Sequence, residues 1–424
     1  MKKILAIVFL ITAVYTFGVY VFLVAKPQVL NYEEFSTLPR KKDITLYIKN
    51  YDKVQNLSIK IIQNGKEFTV FEGIPTPEVK ITLEPKKLGL KEGKGEVLVE
   101  LKRLFLFKET YRIPTSIDYT PPTVNIIFSP YTVMNGGSGA VRVSVSEDSQ
   151  LYLKIGNLSF PFYQTGENTY FSLFAVPLNF HSEDSIKIVA VDKVGNETTV
   201  LVPCRIKHKR YPVYRIELKG KESKLIPKLS TLLGEPIDRK NLIQAFKKVN
   251  EEMRNENEKQ ISSIGKESEN TLYWSGKFLQ LRRSKVVSLF GERRIYTYGG
   301  KKISESYHWG YDLASVRNAP VEAANSGKVV FAGFLGIYGN TVIIDHGYGL
   351  MSLYAHLAEF RVKKGDIVKK GQIIGITDAT GLAFGDHLHY GMMIMGVPVN
   401  PIEWWDATWI KNNILPALYS RGSK

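Results

Sequence analysis

Apolar residues recur at every second position through much of this chain, and that period constrains its fold more than any other feature. Ile44, Leu46 and Ile48 alternate with polar neighbours, as do Leu57, Ile59 and Ile61, then Val79, Ile81 and Leu83, then Val97, Val99 and Leu101. Successive side chains of a strand point to opposite faces, so each run offers one apolar face to a core and one polar face to water. Short strands separated by turn residues predict a β-sandwich-like module over residues 30–118. Thr120-Pro121-Pro122 then reads as a linker, because consecutive prolines hold the chain extended and cannot pair in the middle of a sheet.

A second β module is expected over 122–207. Val141, Val143 and Val145 alternate after the turn Asn135-Gly136-Gly137-Ser138-Gly139, and Ala190-Val191-Asp192-Lys193-Val194-Gly195-Asn196 resembles the closing hairpin of bacterial immunoglobulin-like repeats. His181 stands alone in a polar loop and is not read as a ligand. The period changes over 210–272, where Leu242, Phe246, Val249 and Met253 recur at helical spacing behind Asp238, a candidate cap. This stretch is expected to be a helical connector, with the polar run Asn255 to Asn270 ending in an exposed connection. Strand patterns return at Trp274 and continue to 406. Three apolar runs, 328–333, 341–346 and 351–356, are separated by glycines, and 362–375 doubles a short Lys-Lys-Gly motif. Many short strands and no long helix point to an antiparallel β domain over 274–406. Residues 407–424 are left as a C-terminal tail.

The N-terminus departs from this pattern. Lys2-Lys3 precedes an uncharged, mostly apolar run from Ile4 to Ala25. As a helix rising about 1.5 Å per residue, such a run matches the roughly 30 Å hydrocarbon thickness of a bilayer. Phe22-Leu23-Val24-Ala25-Lys26-Pro27 offers no small-x-small cleavage site, so residues 1–26 are expected to form an uncleaved transmembrane anchor. Although Lys26 and Arg40-Lys41-Lys42 weaken the asymmetry, Lys2 and Lys3 favour a cytoplasmic N-terminus, which places the rest on the far side of a cell inner membrane, in the periplasm or otherwise outside the cytoplasm. The single cysteine, Cys204, cannot form an internal disulfide and is read as a small buried hydrophobe. A net charge of +16 suits an anionic cell wall or lipid surface. Nucleic acid is the rival partner for a basic chain; an exported protein with no recognition motif argues against it.

Five of the seven histidines, His308, His346, His356, His387 and His389, fall in the C-terminal stretch. His387-Leu388-His389 places two imidazoles on one face of an extended strand, and His308-x3-Asp312 puts a carboxylate on the same face as its histidine in a strand or a helix. Either pair is suited to holding or assisting a metal ion. Along 351–357, Ser352, Tyr354 and His356 share the face opposite Leu353, Ala355 and Leu357, so His356 is expected to point away from the core toward a groove. Spacing alone does not say which of His387 and His389 would be a ligand.

Taken in order, His308-x3-Asp312, Tyr354-Ala355-His356-Leu357 and His387-Leu388-His389, with Gly327 and Gly339-Asn340 between, resemble the lysostaphin-type (LytM-like) zinc metallopeptidases. The likeness covers about 274–406 and includes the lead-in Phe290-Gly291-Glu292-Arg293-Arg294. It implies an enzyme that cuts peptide bonds of bacterial peptidoglycan. His308, Asp312 and His389 would bind one catalytic Zn2+, with the fourth position left to water, while His356 and His387 would form the non-ligand acid–base pair. It also implies a structural place for His346 and cleft positions for Tyr311 and Tyr390. Asp386 is either an orienting group or a turn residue.

The expected protein is therefore mainly β: an N-terminal transmembrane helix, two β-sandwich-like modules, a short helical connector and a C-terminal zinc-peptidase domain. The expected substrate is peptidoglycan, with D-alanyl–diaminopimelyl crosslinks favoured over glycyl–glycine bridges. Control of the enzyme by the 210–272 segment or by a regulatory protein is open. The main rival is a non-catalytic relative that activates a wall amidase; such relatives usually lose ligands, and this chain keeps them. A biotinyl- or lipoyl-carrier domain is disfavoured because Gly391-Met392-Met393-Ile394-Met395-Gly396 lacks the acceptor lysine.

Overall fold

A computed structural model describes residues 2–24, 26–103, 107–180 and 185–419. His181 lies outside the described residues. The chain divides into two compact units, one of residues 1–123, 147–150 and 190–198, the other of 124–146, 151–189 and 199–424.

The alternating runs of the first unit become a sandwich. Strands Asn56–Gln63, Lys66–Gly73, Gly93–Lys102 and Lys108–Ile117, with the short Thr37–Leu38, form a five-stranded sheet. Gln28–Val29, Lys42–Lys49 and Glu78–Leu83 form a three-stranded one. Leu57, Ile59, Ile61, Val97 and Val99 from the first meet Ile44, Leu46, Ile48, Val79 and Leu83 from the second. Each fully buried aliphatic side chain contributes about 1.5–3 kcal/mol, enough for the pattern to fix which face turns inward.

The N-terminal run is a helix, Lys2–Val24. Ile7, Val8, Phe9, Leu10 and Ile11 are consecutive and all exposed, so its apolar surface runs right round it. Side chains are described only for residues 7–19 of this helix, and among the described residues no helix is long and apolar enough to cross a membrane.

In the second unit, strands Val124–Phe128, Ser138–Val145, Tyr163–Gly166 and Thr169–Ala175 form an antiparallel sheet. Cys204 is half-buried rather than fully buried. The 407–424 stretch is not a loose tail where described. Ala407–Asn413 and Leu415–Leu418 are short helices that bury Ile410, Ile414 and Ala417.

The C-terminal part is built on a ten-stranded sheet whose main path runs Lys285–Ser288, Tyr311–Ala314, Leu388–Ile394, Leu350–Phe360, Asn340–Gly347, Gly327–Phe334, Ile367–Val368. Both faces of its centre are covered. Ile343, Met351, Leu353, Ala355 and Met393 pack under the helices, and Tyr354 and Tyr390 lie on the other side with Trp405. Tyr311 also meets Trp405 edge-on, 5.0 Å between centroids. Tyr311 and Tyr390 therefore do not line a cleft: each is adjacent to a ligand candidate in a strand, so alternation sends it to the opposite face.

The connector differs from expectation in three ways. It opens with a strand, Val213–Glu217, paired parallel to Arg293–Tyr298. The helix Leu242–Lys247 starts from Asn241, while Asp238 accepts the N–H groups of Lys240 and Asn241 in the turn before it. The polar run is largely helix: a π-helical turn, Lys248–Met253, leads into Arg254–Lys266, which buries Asn257, Ile261 and Gly265. Asn257 uses its side-chain oxygen to accept the Ile337 N–H, and Gly265 lies where a Cβ would come within 2.4 Å of Gly396. A helix held by an amide contact and a glycine-to-backbone approach carries little hydrophobic signal.

Candidate metal centre

Two neighbouring strands bring the first pair of donors together. Asp312 and His389 are direct cross-strand partners in the antiparallel pairing of Tyr311–Ala314 with Leu388–Ile394, so their side chains leave the sheet on one face. His308 follows strand Lys301–Tyr307, and its ring turns back over Asp312. His308 Nε2 lies 2.9 Å from Asp312 Oδ1 and 2.9 Å from His389 Nδ1, and those two atoms are themselves 2.9 Å apart. All three residues are buried.

Proton accounting shows what this cluster can hold. His308 Nδ1 is 2.9 Å from the Leu289 carbonyl, which can only accept, so Nδ1 carries the proton and Nε2 presents a lone pair. That lone pair faces a carboxylate oxygen and the second imidazole nitrogen. With His308 neutral, even a proton on His389 Nδ1 leaves the His308–Asp312 contact acceptor against acceptor, and either a second proton on His308 or a bound cation relieves it. A cation at the centre of the triangle resolves the conflict, and two imidazoles plus one carboxylate suit Zn2+. The residues fit the metal.

The charge states agree. Burial pushes the Asp312 carboxyl upward, but the His308 charge and the hydrogen bonds from His308, His387 and His389 outweigh it and hold it well below the usual range. Burial lowers His389 to about 4 despite Asp312. Both are therefore in the deprotonated forms that ligate a metal.

The remaining two histidines share another device. His356 Nδ1 is 2.8 Å from the Thr380 carbonyl, and His387 Nδ1 is 2.7 Å from the Gly385 carbonyl. Each ring therefore carries its proton on Nδ1 and leaves Nε2 as the basic atom. His387 Nε2 is 3.6 Å from Asp312 Oδ1, and the two rings are 4.9 Å apart between centroids. Burial, reinforced by His387 and His389, holds His356 well below the ordinary histidine value. For His387, burial acts downward, but the hydrogen bond and charge of Asp312 prevail and raise it.

His356 reaches this site by a route that simple alternation does not describe. The face it would share with Ser352 and Tyr354 is the buried far side of the sheet, where Ser352 bonds His346 and the Tyr354 hydroxyl. The pairing shifts register on either side of residue 356, and His356 takes φ = 63°, a left-handed conformation rare for non-glycine residues. This bulge carries the ring round to the His389 face, 5.9 Å from it between centroids. A strained backbone at a functional position has to be held by its surroundings. Here the Thr380 carbonyl anchors the ring.

His346 is fully buried and bonded to the Ser326 carbonyl and the Ser352 hydroxyl, a structural place behind the sheet. Asp386 accepts the Asn318 N–H and ties two loops together, which is the turn role.

Sequence reasoning missed three contributors. Arg294 places Nη2 3.3 Å from Asp312 Oδ2 and 3.3 Å from Glu292 Oε2, bracing the carboxylate oxygen that faces away from the two imidazoles. Tyr338 stands edge-on to His389 at 5.5 Å. Trp309 donates its indole N–H to Glu258 of the connector helix. The only available signal was that Arg294 belongs to the 290–294 lead-in; no spacing rule reaches across the sheet. A cleft of about 830 Å3 opens over the centre, walled by Trp309 and Tyr338, by 382–385, and by the connector from Tyr214 to Lys224.

A second acidic group, Asp118, Glu147 and Asp192, also brings oxygen atoms within 4.8 Å of one another. Both Asp192 oxygens already accept N–H groups of residues 194–196 or the Asn196 amide, so Asp192 serves its turn.

Residues 306–401, the span that holds all five groups, match Peptidase family M23. The DD-carboxypeptidase/endopeptidase Mpg of Neisseria meningitidis serogroup B is 44% identical over 96 residues, 23% of this chain and 22% of that protein. The peptidoglycan DD-endopeptidase ShyA of Vibrio cholerae is 37% identical over 119 residues, 28% of this chain and 27% of that protein. A crystal structure of a putative peptidase M23 from Pseudomonas aeruginosa aligns at 19% identity over 65% of this chain and 95% of that one, with a TM-score of 0.42. The chain spans about a quarter of the length of the curated relatives it matches.

Proposed function

We propose, with residues 306–401 forming a domain of peptidase family M23, that this chain is a zinc-dependent endopeptidase of bacterial peptidoglycan. The observation that carries the reading is the convergence of His308, Asp312 and His389 beside two imidazoles that both present Nε2. His308 Nε2, Asp312 Oδ1 and His389 Nδ1 would hold the ion. The chemistry such an ion supplies is Lewis acidity toward the scissile carbonyl and a water whose pKa falls to about 7. His387 and His356 handle protons: their Nε2 atoms take one from the attacking water and deliver one to the departing amine. The Thr380 and Gly385 carbonyls keep both rings in the tautomer this requires. Arg294 holds Asp312 in place through its outer oxygen. An activator without chemistry would not need five groups so arranged.

The relatives named as DD-endopeptidases support D-alanyl–diaminopimelyl crosslinks as the bond cut. The helix Lys2–Val24, whose described side chains at 7–19 are exposed and mostly apolar, supports a single-pass anchor in the inner membrane, with the later domains in the periplasm and the β modules as a stalk toward the wall. The test is digestion of purified sacculi by the full chain in detergent with zinc, beside His387→Ala and a chelated control, with fragments identified by mass spectrometry. Release of uncrosslinked peptides by the zinc-loaded wild type alone supports the reading. Intact sacculi beside stoichiometric zinc binding would overturn the substrate assignment.

A further inference from the structure

The connector wall of the cleft is charged in one sense only. Arg215, Lys221 and Lys224 line the same cavity as the metal-centre residues, and Arg254 of the connector helix lines it too. The acids of this segment are turned elsewhere. Glu217 accepts the N–H groups of Lys219, Gly299 and Gly300 at the tip of the hairpin beyond it. Glu222 accepts the Tyr298 hydroxyl. Arg215, Lys221 and Lys224 are exposed and have no ion-pair partner among the described residues. Among the described residues the only carboxylates lining the cavity are Glu292 and Asp312, and Arg294 sits between them. Leu382, Ala383 and Phe384, which also line the cavity, add no charge. A cleft lined by unneutralised cations on one side concentrates anionic ligands and orients them, and a carboxylate on Arg or Lys forms the stronger, charge-assisted kind of hydrogen bond.

We propose that the connector is a substrate-binding wall, on which Arg215, Lys221 and Lys224 hold a free carboxylate that flanks the scissile peptide bond. The chemistry matches the crosslink favoured above. In a D-alanyl–diaminopimelyl bond, the carbon bearing the scissile nitrogen also bears a carboxylate, so the charge sits two bonds from the atom that leaves. This proposal rests on the endopeptidase reading and assigns the connector a part in it. On this proposal the segment reads the substrate rather than gating the cleft. Crosslinks whose carboxylate has been converted to a carboxamide then become poor substrates, although the scissile bond is the same.

The experiment compares two purified crosslinked muropeptide dimers, one with the free carboxylate and one with the carboxamide. Each is given to the full zinc-loaded chain and to Arg215→Gln/Lys221→Gln/Lys224→Gln, whose exposed substitutions leave the core untouched; a thermal melt checks this. Wild type is expected to favour the free acid by about tenfold or more in kcat/KM, the scale of one charge-assisted contact. In the triple variant that ratio falls to within about twofold, with the loss in KM for the free acid. A wild-type ratio near one, or a ratio the triple variant leaves unchanged, overturns the proposal. A rise in turnover on both dimers in the variant also overturns it, because that is the behaviour of a shield. If wild type cuts neither dimer, the endopeptidase reading fails, and calorimetry on the same proteins still decides this one. Tenfold tighter binding of the free acid that the triple variant loses supports it, and equal binding of the two dimers refutes it.

Discussion

Replacing Gly310 with alanine tests whether the metal centre depends on close packing beneath a ligand. Gly310 lies between His308 and Asp312, and its φ is not in the left-handed region, so the backbone itself accepts a side chain. The space does not. A Cβ there would stand 2.5 Å from the Tyr390 carbonyl oxygen and 2.8 Å from Cε1 and Nε2 of His389. The carbonyl belongs to a strand paired on both sides, through Tyr311 and through Tyr354, and has no room to retreat. Residue 310 has to lift off that carbonyl and the His389 ring has to yield by roughly half an ångström as well, and both movements disturb the 2.9 Å triangle of His308, Asp312 and His389. Overpacking of this kind costs about 1–3 kcal/mol, which becomes about 5- to 150-fold in zinc affinity when the strain falls on the bound state. Competition against a chelator measures that affinity, and a melt in excess chelator measures what the apo fold loses. The expected outcome is weaker zinc binding with a smaller loss of apo stability. Zinc affinity within twofold of wild type and an unchanged melt would refute the reasoning.

Exchanging the roles of the two histidines in His-Leu-His gives a sharper separation. His389→Ala is expected to lose zinc and activity together, whereas His387→Ala keeps stoichiometric zinc and loses about 10²- to 10⁴-fold in kcat, the usual share of acid–base catalysis; metal analysis beside rate measurement checks both. Arg294→Met keeps the bulk of the stem but removes the brace on Asp312, so zinc affinity is expected to fall about 10- to 100-fold, and an unchanged affinity would deny Arg294 that part. Glu403 is half-buried against Ser138 of the second β module, and loss of solvent around its carboxyl, only partly offset by the Ser138 hydrogen bonds, raises it to about 8. Because the folded state holds this proton more tightly than the unfolded chain, the stability it contributes is full below the unfolded value near 4.5 and is lost as pH rises toward 8. Melts across that range are expected to decline for wild type and to decline less for Glu403→Gln; parallel curves would show that Glu403 is already ionised in the fold.

The grouping of the site's histidines was readable from short-range geometry, whereas the division into ligands and non-ligands came from the family resemblance. His387 and His389 share a face because strand side chains repeat with period two, and the same rule buries Ile59, Ile61, Val97 and Val99 in the first sandwich. His308 and Asp312 do meet, although a strand break at 308–310 separates them, so the contact owes less to an i, i+4 face than to the turn between strands. Where the reasoning went astray, the cause was a local departure from regularity or a partner distant in sequence. The shared face proposed for Ser352, Tyr354 and His356 fails at the bulge, since the register shifts and the positive φ of His356 itself turn its ring to the other side. Asn255 to Asn270 looked like an exposed connection because its helix is anchored by Asn257 and Gly265 rather than by an apolar stripe.

What the sequence determined by itself was the material that repeats locally: the strand period, the helical stripe of Leu242, Phe246 and Val249, and the histidines and aspartate set two or four residues apart. Those patterns follow from backbone geometry over a few residues and need no knowledge of the rest of the chain. Only the tertiary structure decided that Arg294 braces Asp312, that a connector strand docks on Arg293–Tyr298, and that the connector's cations line the same cavity as the metal centre. Each of these joins segments 18 to about 170 residues apart, and such meetings are selected by the packing of whole sheets and helices, which no local period encodes.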